Sequence, residues 1–287
     1  MNLALALVAF ALAAPAPSAP TECDGARARV SPSAPSQGGV VVLELNTEAA
    51  AASPAATWQG KAVRFWRDDP QGPWRALLGI DLDRRPGEAR VLVERGLDRT
   101  CAVSVSIKAG TFAEDRLNVP QRYVDLSPED QARAARETAR LAAVFAALTT
   151  ERLWRGPFRI PIEDGKPSSS FGRRRILNGQ PRSPHTGVDI GAPTGTPVRA
   201  MQRGRVVLDE DLFFSGRTVI LDHGLGLFSF YGHLSESKVP PGRIVDAEEV
   251  IALVGATGRV TAPHLHWAVR LGDVRVDGLD LVRRTSS

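Results

Sequence analysis

All five histidines of the chain, His185, His223, His233, His264 and His266, fall in its C-terminal part, and four of them with Asp189 have the types and spacing of a metal site. His185-Thr-Gly-Val-Asp189 offers an imidazole and a carboxylate four residues apart, and His264-Leu-His266 offers two imidazoles at alternate positions. Both are ligand types that zinc uses. From His264 to Leu271 the apolar residues recur with the two-residue period of a strand. His264, His266, Ala268 and Arg270 then share one face and Leu265, Trp267, Val269 and Leu271 the other, so both imidazoles point the same way. Residues 227–234 repeat the pattern, with Phe228, Phe230 and Leu234 on the apolar side and Ser229, Tyr231 and His233 opposite. A third imidazole is thereby expected on a sheet face.

A hydrolytic zinc site takes three protein ligands and keeps a fourth position for water. Five histidines and Asp189 cannot all bind one ion, so the surplus is left for proton transfer. Two neutral imidazoles and one carboxylate leave a bound zinc with net positive charge, which brings the pKa of its water toward roughly 7. No His-Glu-x-x-His helix is present to supply a glutamate base, and histidine is its natural replacement.

Five segments, taken in order, carry a resemblance. Ser170-Phe-Gly-Arg-Arg174, His185-Thr-Gly-Val-Asp-Ile-Gly-Ala-Pro-Thr-Gly-Thr-Pro-Val198, Asp222-His-Gly224, Tyr231-Gly-His-Leu234 and Pro263-His-Leu-His-Trp267 resemble the lysostaphin-type (M23, LytM-like) zinc metallopeptidases of peptidoglycan. The similarity spans about residues 156–280. It implies that His185, Asp189 and His266 are the zinc ligands, with one zinc per chain. It also implies that His233 and His264 are the catalytic pair that deprotonates or orients the water and stabilises the oxyanion. The chain departs from the family pattern at Ala262, where a glycine is usual, at Asp246-Ala-Glu-Glu249, and at Asp277-Gly278, where Asp-Pro is expected. All three lie outside the ligand set and bear on loop shape. His223, in a strand-end Asp-His-Gly turn, reads as support for the sheet; Tyr231 could hydrogen-bond substrate; Arg173 and Arg174 could meet a substrate carboxylate.

The elements that must position these residues follow from composition and punctuation. Residues 3–13 form an apolar run with small residues near Ala13, read as a secretory signal with an Ala-x-Ala site, although its only preceding charge is the initiator amine. Thr21-Glu22 before Cys23 is not a lipoprotein context. The two cysteines, Cys23 and Cys101, exclude a cysteine zinc site, and their even number in an exported chain invites a disulfide. The pI near 9.5 rests on arginine, since only four of 36 basic side chains are lysines. No basic cluster with interleaved aromatics accompanies it, which argues against nucleic acid. Short apolar runs at 40–45, 62–66, 76–80, 89–93 and 102–107, separated by Gly, Pro and Asp, have the spacing of a β-sandwich or small barrel. Ser127-Pro-Glu-Asp130 then sets a helix start, and a helix to about Leu148 is expected to pack closely through Ala135, Ala139, Ala142, Ala143 and Ala146. Residues 149–156 read as a hinge.

The expected chain is mainly β: residues 1–25 a signal peptide and Pro-rich leader, 26–120 a β-sandwich-like domain, 121–155 helix and linker, and 156–287 a zinc peptidase domain with an antiparallel sheet. The expected function is a secreted zinc metallo-endopeptidase of the cell envelope, periplasmic or extracellular, hydrolysing peptide bonds in peptidoglycan cross-links through a zinc-activated water. The alternative is a non-catalytic wall-binding protein or an activator of a peptidoglycan amidase. Peptidoglycan is the expected partner, with no nucleic acid and no stable membrane span in the mature chain.

Overall fold

In a computed structural model of the chain, residues 19–23, 26–47, 53–94, 100–118 and 126–286 are described. Residues 3–13, expected to be a leader, and the expected cleavage site near Ala13 lie outside them. Among the described residues no helix is long and apolar enough to cross a membrane.

The N-terminal part is a sandwich of two four-stranded antiparallel sheets. One joins β1 (Thr21–Glu22), β2 (Ala26–Ser31), β3 (Val40–Thr47) and β6 (Trp74–Gly79); the other joins β4 (Ala56–Trp58), β5 (Lys61–Ala62), β7 (Gly87–Glu94) and β8 (Thr100–Ile107). Alternation decides which side chains enter the core: Ala89, Val91 and Val93 of β7 and Val103, Val105 and Ile107 of β8 are buried while their neighbours face solvent. Of the run 62–66 only Ala62 lies in a strand, and Phe65 turns inward from a loop. Cys23 and Cys101 are joined by a disulfide, with their Cα atoms 5.4 Å apart.

After this sandwich the chain lays down β9 (Glu114–Leu117) and α1 (Pro128–Ala146). Ser127 caps the helix by accepting from the Asp130 amide at 3.1 Å, and Pro128 opens it. The helix packs through Leu141, Val144 and Phe145 against Leu208, Ile220 and Phe228. The alanines do not make that contact: Ala135, Ala139, Ala142, Ala143 and Ala146 are exposed, and the larger Leu141, Val144 and Phe145 carry it. Residues 149–156 are likewise no hinge. Leu153 and Trp154 are buried, the Leu153 amide donates to the His223 carbonyl at 2.9 Å, and Thr149 O accepts from Leu225 N at 2.7 Å.

The C-terminal part is built on a ten-stranded antiparallel sheet. Its main path runs β10 (Pro167–Ser169), β13 (Val188–Gly191), β20 (His264–Leu271), β17 (Leu227–Ser237), β16 (Gly216–Gly224), β15 (Gly204–Leu212) and β18 (Ile244–Val245). Strands β14 (Pro197–Arg199), β19 (Val250–Val254) and β21 (Val274–Val276) attach to it. A hairpin of β11 (Arg174–Leu177) and β12 (Gln180–Pro181) stands beside the sheet, and β9 pairs with β11 in parallel, adding a strand from the inter-unit chain. The two parts are clasped by the closing helix α2 (Gly278–Thr285): the buried Asp280 carboxylate accepts the Val40 amide at 2.8 Å, and Asp277 N donates to Gly38 O at 2.8 Å.

Candidate metal centre

The imidazoles of β20 behave as its alternation demands. Leu265, Trp267 and Val269 are buried in the core, and His264 and His266 lie on the opposite face, where His266 meets Phe230 edge to face. Asp189 of β13 is the direct cross-strand partner of His266, which brings carboxylate and ring together. His185 reaches the same point from the loop before β13. Its Nδ1 lies 3.1 Å from the Ser170 carbonyl and donates to it, which leaves Nε2 as an open lone pair. Gly187 is glycine because the His266 ring packs onto its backbone; a Cβ there would stand 2.6 Å from His266 Cε1.

His185 Nε2, Asp189 Oδ1 and His266 Nδ1 lie 2.9 to 3.0 Å from one another. Donors around a tetrahedral zinc with bonds of about 2.0–2.1 Å sit roughly 3.3 Å apart, so a slight opening of this triangle admits the ion. Two nitrogens and a carboxylate oxygen converging with their lone pairs are the donor set zinc prefers, and these residues fit it. Burial by itself would raise the Asp189 carboxyl, but with the rings of His185 and His266 protonated their hydrogen bonds and charge outweigh it and hold the group well below the ordinary carboxylate range. His266 is lowered by burial, against the pull of Asp189.

His233 reaches the centre by a different route from the one its strand pattern suggests. Between Val219–Tyr231 and Arg217–Leu234 pairings, β17 uses one residue more than β16. The extra residue is absorbed by His233, which takes a left-handed backbone at φ 63° while its amide donates to Ser215 O at 2.7 Å. This bulge turns His233 away from Tyr231 and onto the face of His264 and His266, with ring centroids 4.7 and 5.9 Å away. Its Nδ1 donates to Thr257 O at 2.9 Å, and burial, reinforced by the neighbouring imidazoles, lowers its pKa to about 4. His264 is anchored in the same manner, Nδ1 to Ala262 O at 2.9 Å, and directs Nε2 to within 3.7 Å of Asp189 Oδ1.

Tyr231 therefore does not share a face with His233. It stays in the core, wholly buried, its hydroxyl accepting the Met201 amide at 2.9 Å, and burial pushes its pKa to about 12. His223 belongs to the same interior network: Nδ1 donates to Arg203 O at 2.8 Å, Nε2 lies 2.7 Å from Ser229 Oγ, and the Ser229 and Tyr231 hydroxyls are 3.0 Å apart. Arg173 is paired with Asp115 of β9 at 2.5 Å instead of facing the centre. Arg174 is exposed on β11. The guanidinium that approaches the centre is that of Arg175, with Nη2 4.0 Å from Asp189 Oδ2. Nothing in its local pattern distinguishes it from its two arginine neighbours.

The loop departures are accommodated. Ala262 supplies the carbonyl that holds His264, Glu248 adopts φ 62° in the turn that lacks glycine, and Gly278 lies under the Trp267 indole.

Three side chains whose donor atoms could hold a metal ion, with two further imidazoles beside them at one face of an antiparallel sheet, have the make-up of a metallohydrolase centre. Residues 183–278 match peptidase family M23, and residues 33–108 match the peptidase family M23 N-terminal domain. A crystal structure of a putative M23 peptidase from Pseudomonas aeruginosa is 32% identical, covers 88% of this chain and 96% of its own, and superposes with a TM-score of 0.65. The chain belongs to peptidase family M23. The peptidoglycan DD-endopeptidase ShyA of Vibrio cholerae is 39% identical over 111 residues, 38% of this chain and 26% of ShyA. The DD-carboxypeptidase/endopeptidase Mpg of Neisseria meningitidis is 36% identical over 132 residues, 46% of this chain and 30% of Mpg. The chain thus spans less than a third of the length of these curated relatives.

Proposed function

We propose that this protein is an exported zinc metallo-endopeptidase that hydrolyses peptide bonds in the cross-links of peptidoglycan. The observation that carries the reading is the convergence of His185, Asp189 and His266 within 3.0 Å of one another, with His233 and His264 beside them. His185 Nε2, Asp189 Oδ1 and His266 Nδ1 would hold one zinc. When bound, the ion would supply Lewis acidity, enough to polarise a scissile carbonyl and to bring the pKa of a water toward neutrality.

The remaining steps belong to the protein. His233 and His264 each fix their Nδ1 proton on a backbone carbonyl, so each offers a bare Nε2 toward the centre. Because burial keeps His233 neutral at physiological pH, it is available to take a proton from the attacking water. The imidazolium so formed can donate to the carbonyl oxygen as charge develops on it, or to the departing amine. Two imidazoles 4.7 Å apart suffice for both duties. The centre contains one carboxylate, Asp189, and it is committed to the ligand set, whereas glycan cleavage calls for a carboxylate pair. The named activities of ShyA and Mpg support a cross-link peptide as substrate. Retention of every ligand and both flanking histidines supports catalysis over wall binding or amidase activation.

Digestion of purified sacculi by wild-type protein and by His264→Ala, followed by separation of the muropeptides, tests this. Cross-linked dimers should give way to monomers with new amino groups and intact glycan, in the wild type only. New reducing ends, or dimers that persist with fully zinc-loaded protein, would refute the assignment.

A further inference from the structure

One large apolar side chain stands exposed next to Ser215, whose carbonyl accepts the His233 amide. Phe214 lies in the turn between β15 and β16 and is 51% exposed, the highest value among the large exposed apolar side chains of the described residues. Its backbone is held from three directions. Phe214 O accepts the Arg259 amide at 2.9 Å, Ser215 O accepts the His233 amide at 2.7 Å, and Phe213 N donates to the Glu137 carboxylate at 2.8 Å. Gly216 and Gly258 then press together so closely that a Cβ on either would come within 2.4 Å of the other loop. The turn and the 257–259 loop are therefore packed directly against each other. The loop also holds His233, through the Thr257 carbonyl.

An exposed ring on a held backbone is well suited to binding, since an aromatic side chain offers a large area for few rotatable bonds. Beside it stands a cation: the Arg259 guanidinium is 5.7 Å from the Phe213 ring and 5.9 Å from that of Phe214. Phe213 and Phe214 meet edge to face at 4.9 Å, so the two rings and the guanidinium form a shelf with an apolar surface and a positive rim.

We propose that Phe214, with Arg259 at its edge, is a specificity-determining residue that binds the stem peptide flanking the scissile bond. Small aliphatic side chains would lie on the ring. This rests on the reading of the substrate as a cross-linked peptide. Phe214 acts on binding and takes no part in bond breaking, so it should weigh on KM and leave kcat alone. Covering roughly 50 Å² of ring is worth about a tenfold change in affinity at the usual apolar transfer coefficient.

The test uses purified cross-linked muropeptide dimer as probe. Its binding is measured by calorimetry on full-length zinc-loaded His264→Ala protein, with and without Phe214→Ala, and its cleavage by steady-state kinetics in the otherwise unaltered chain. Phe214→Ala should weaken binding about tenfold and raise KM by the same factor with kcat within twofold, while Phe214→Tyr stays within twofold of the parent in both. Equal affinity of parent and Phe214→Ala, or a loss that Phe214→Tyr fails to recover, would overturn the shelf. If the wild-type chain did not cleave the dimer, the proposed activity would fall, and calorimetry would still judge the shelf on its own.

Discussion

Acidification should weaken the fold through one interior residue. His223 is wholly buried, and burial brings its pKa from 6.5 to about 4 in spite of the hydrogen bond it gives Arg203 O. In the unfolded chain the imidazole recovers a pKa near 6.5. Between those values the unfolded state carries a proton that the native state refuses, so stability falls as pH drops from about 6.5 to about 4 and is intact above that window. The difference of 2.5 units is worth at most about 3 kcal/mol, a large share of a typical domain's stability. Replacement by asparagine keeps a donor for the Arg203 carbonyl but removes the titrating ring, its contact with Phe158 and the acceptor for Ser229. His223→Asn should therefore cost about 2 kcal/mol at pH 7.5. It should then lose less on acidification than the parent. Urea unfolding of both metal-free proteins at steps from pH 7.5 to 4.5 measures this, and the other histidines cancel in the difference. Parallel stability profiles, or a His223 ring resonance that titrates near pH 6.5 in the native protein, would refute the reasoning.

Other expectations concern the centre and the clasp. Asp189→Ala and His266→Ala should each lose zinc to a competing chelator, as equilibrium dialysis will show; full occupancy in either would remove that residue from the ligand set. His233→Ala and His264→Ala should keep zinc while turnover drops by about 10²- to 10⁴-fold. Parallel loss of metal and rate would make them ligands instead. Asp280→Ala strands the Val40 amide and two arginines, Arg283 and Arg284, and should cost about 2–4 kcal/mol in chemical unfolding. An unchanged midpoint would mean that the two parts are joined elsewhere. Reduction of Cys23–Cys101, which closes a span of 78 residues, should lower stability by about 4 kcal/mol; a smaller loss than 1 kcal/mol would contradict the loop-closure argument.

What could be read from the chain beforehand depended on how local the cause was. His264 and His266 share a face because of strand alternation, which needs no knowledge of any other segment. The Ser127 cap is equally local. The position of His233 is not: its bulge exists because Ser215 and Thr257, from two other loops, receive its amide and its ring nitrogen. Strict alternation thus grouped His233 with Tyr231 on the wrong side. The 149–156 segment resembles a hinge by composition, yet its Trp154 finds Trp66 of the sandwich, with ring centroids 5.5 Å apart. Similarly, the arginine that nears Asp189 could not be chosen among Arg173, Arg174 and Arg175 without the hairpin that orients them. Helix α1 follows the same rule, since only its docking on Phe228 shows that Phe145 and not the alanines carries the contact.

The parallel strand lent by residues 114–117 bears on how this architecture can be taken apart. Glu114 to Leu117 match Arg174 to Leu177 one for one, and Asp115 locks Arg173 in that register. Arg173 O in turn receives the His185 amide, so the connecting chain is two hydrogen-bonded steps from a residue of the proposed ligand set. A chimera that grafts this peptidase part onto another leader, or a truncation meant to isolate it, would have its natural seam before residue 114, in the stretch 109–113 that follows the sandwich. Cutting after residue 117 would discard a strand that is separate in sequence but belongs, by its hydrogen bonds, to the C-terminal half.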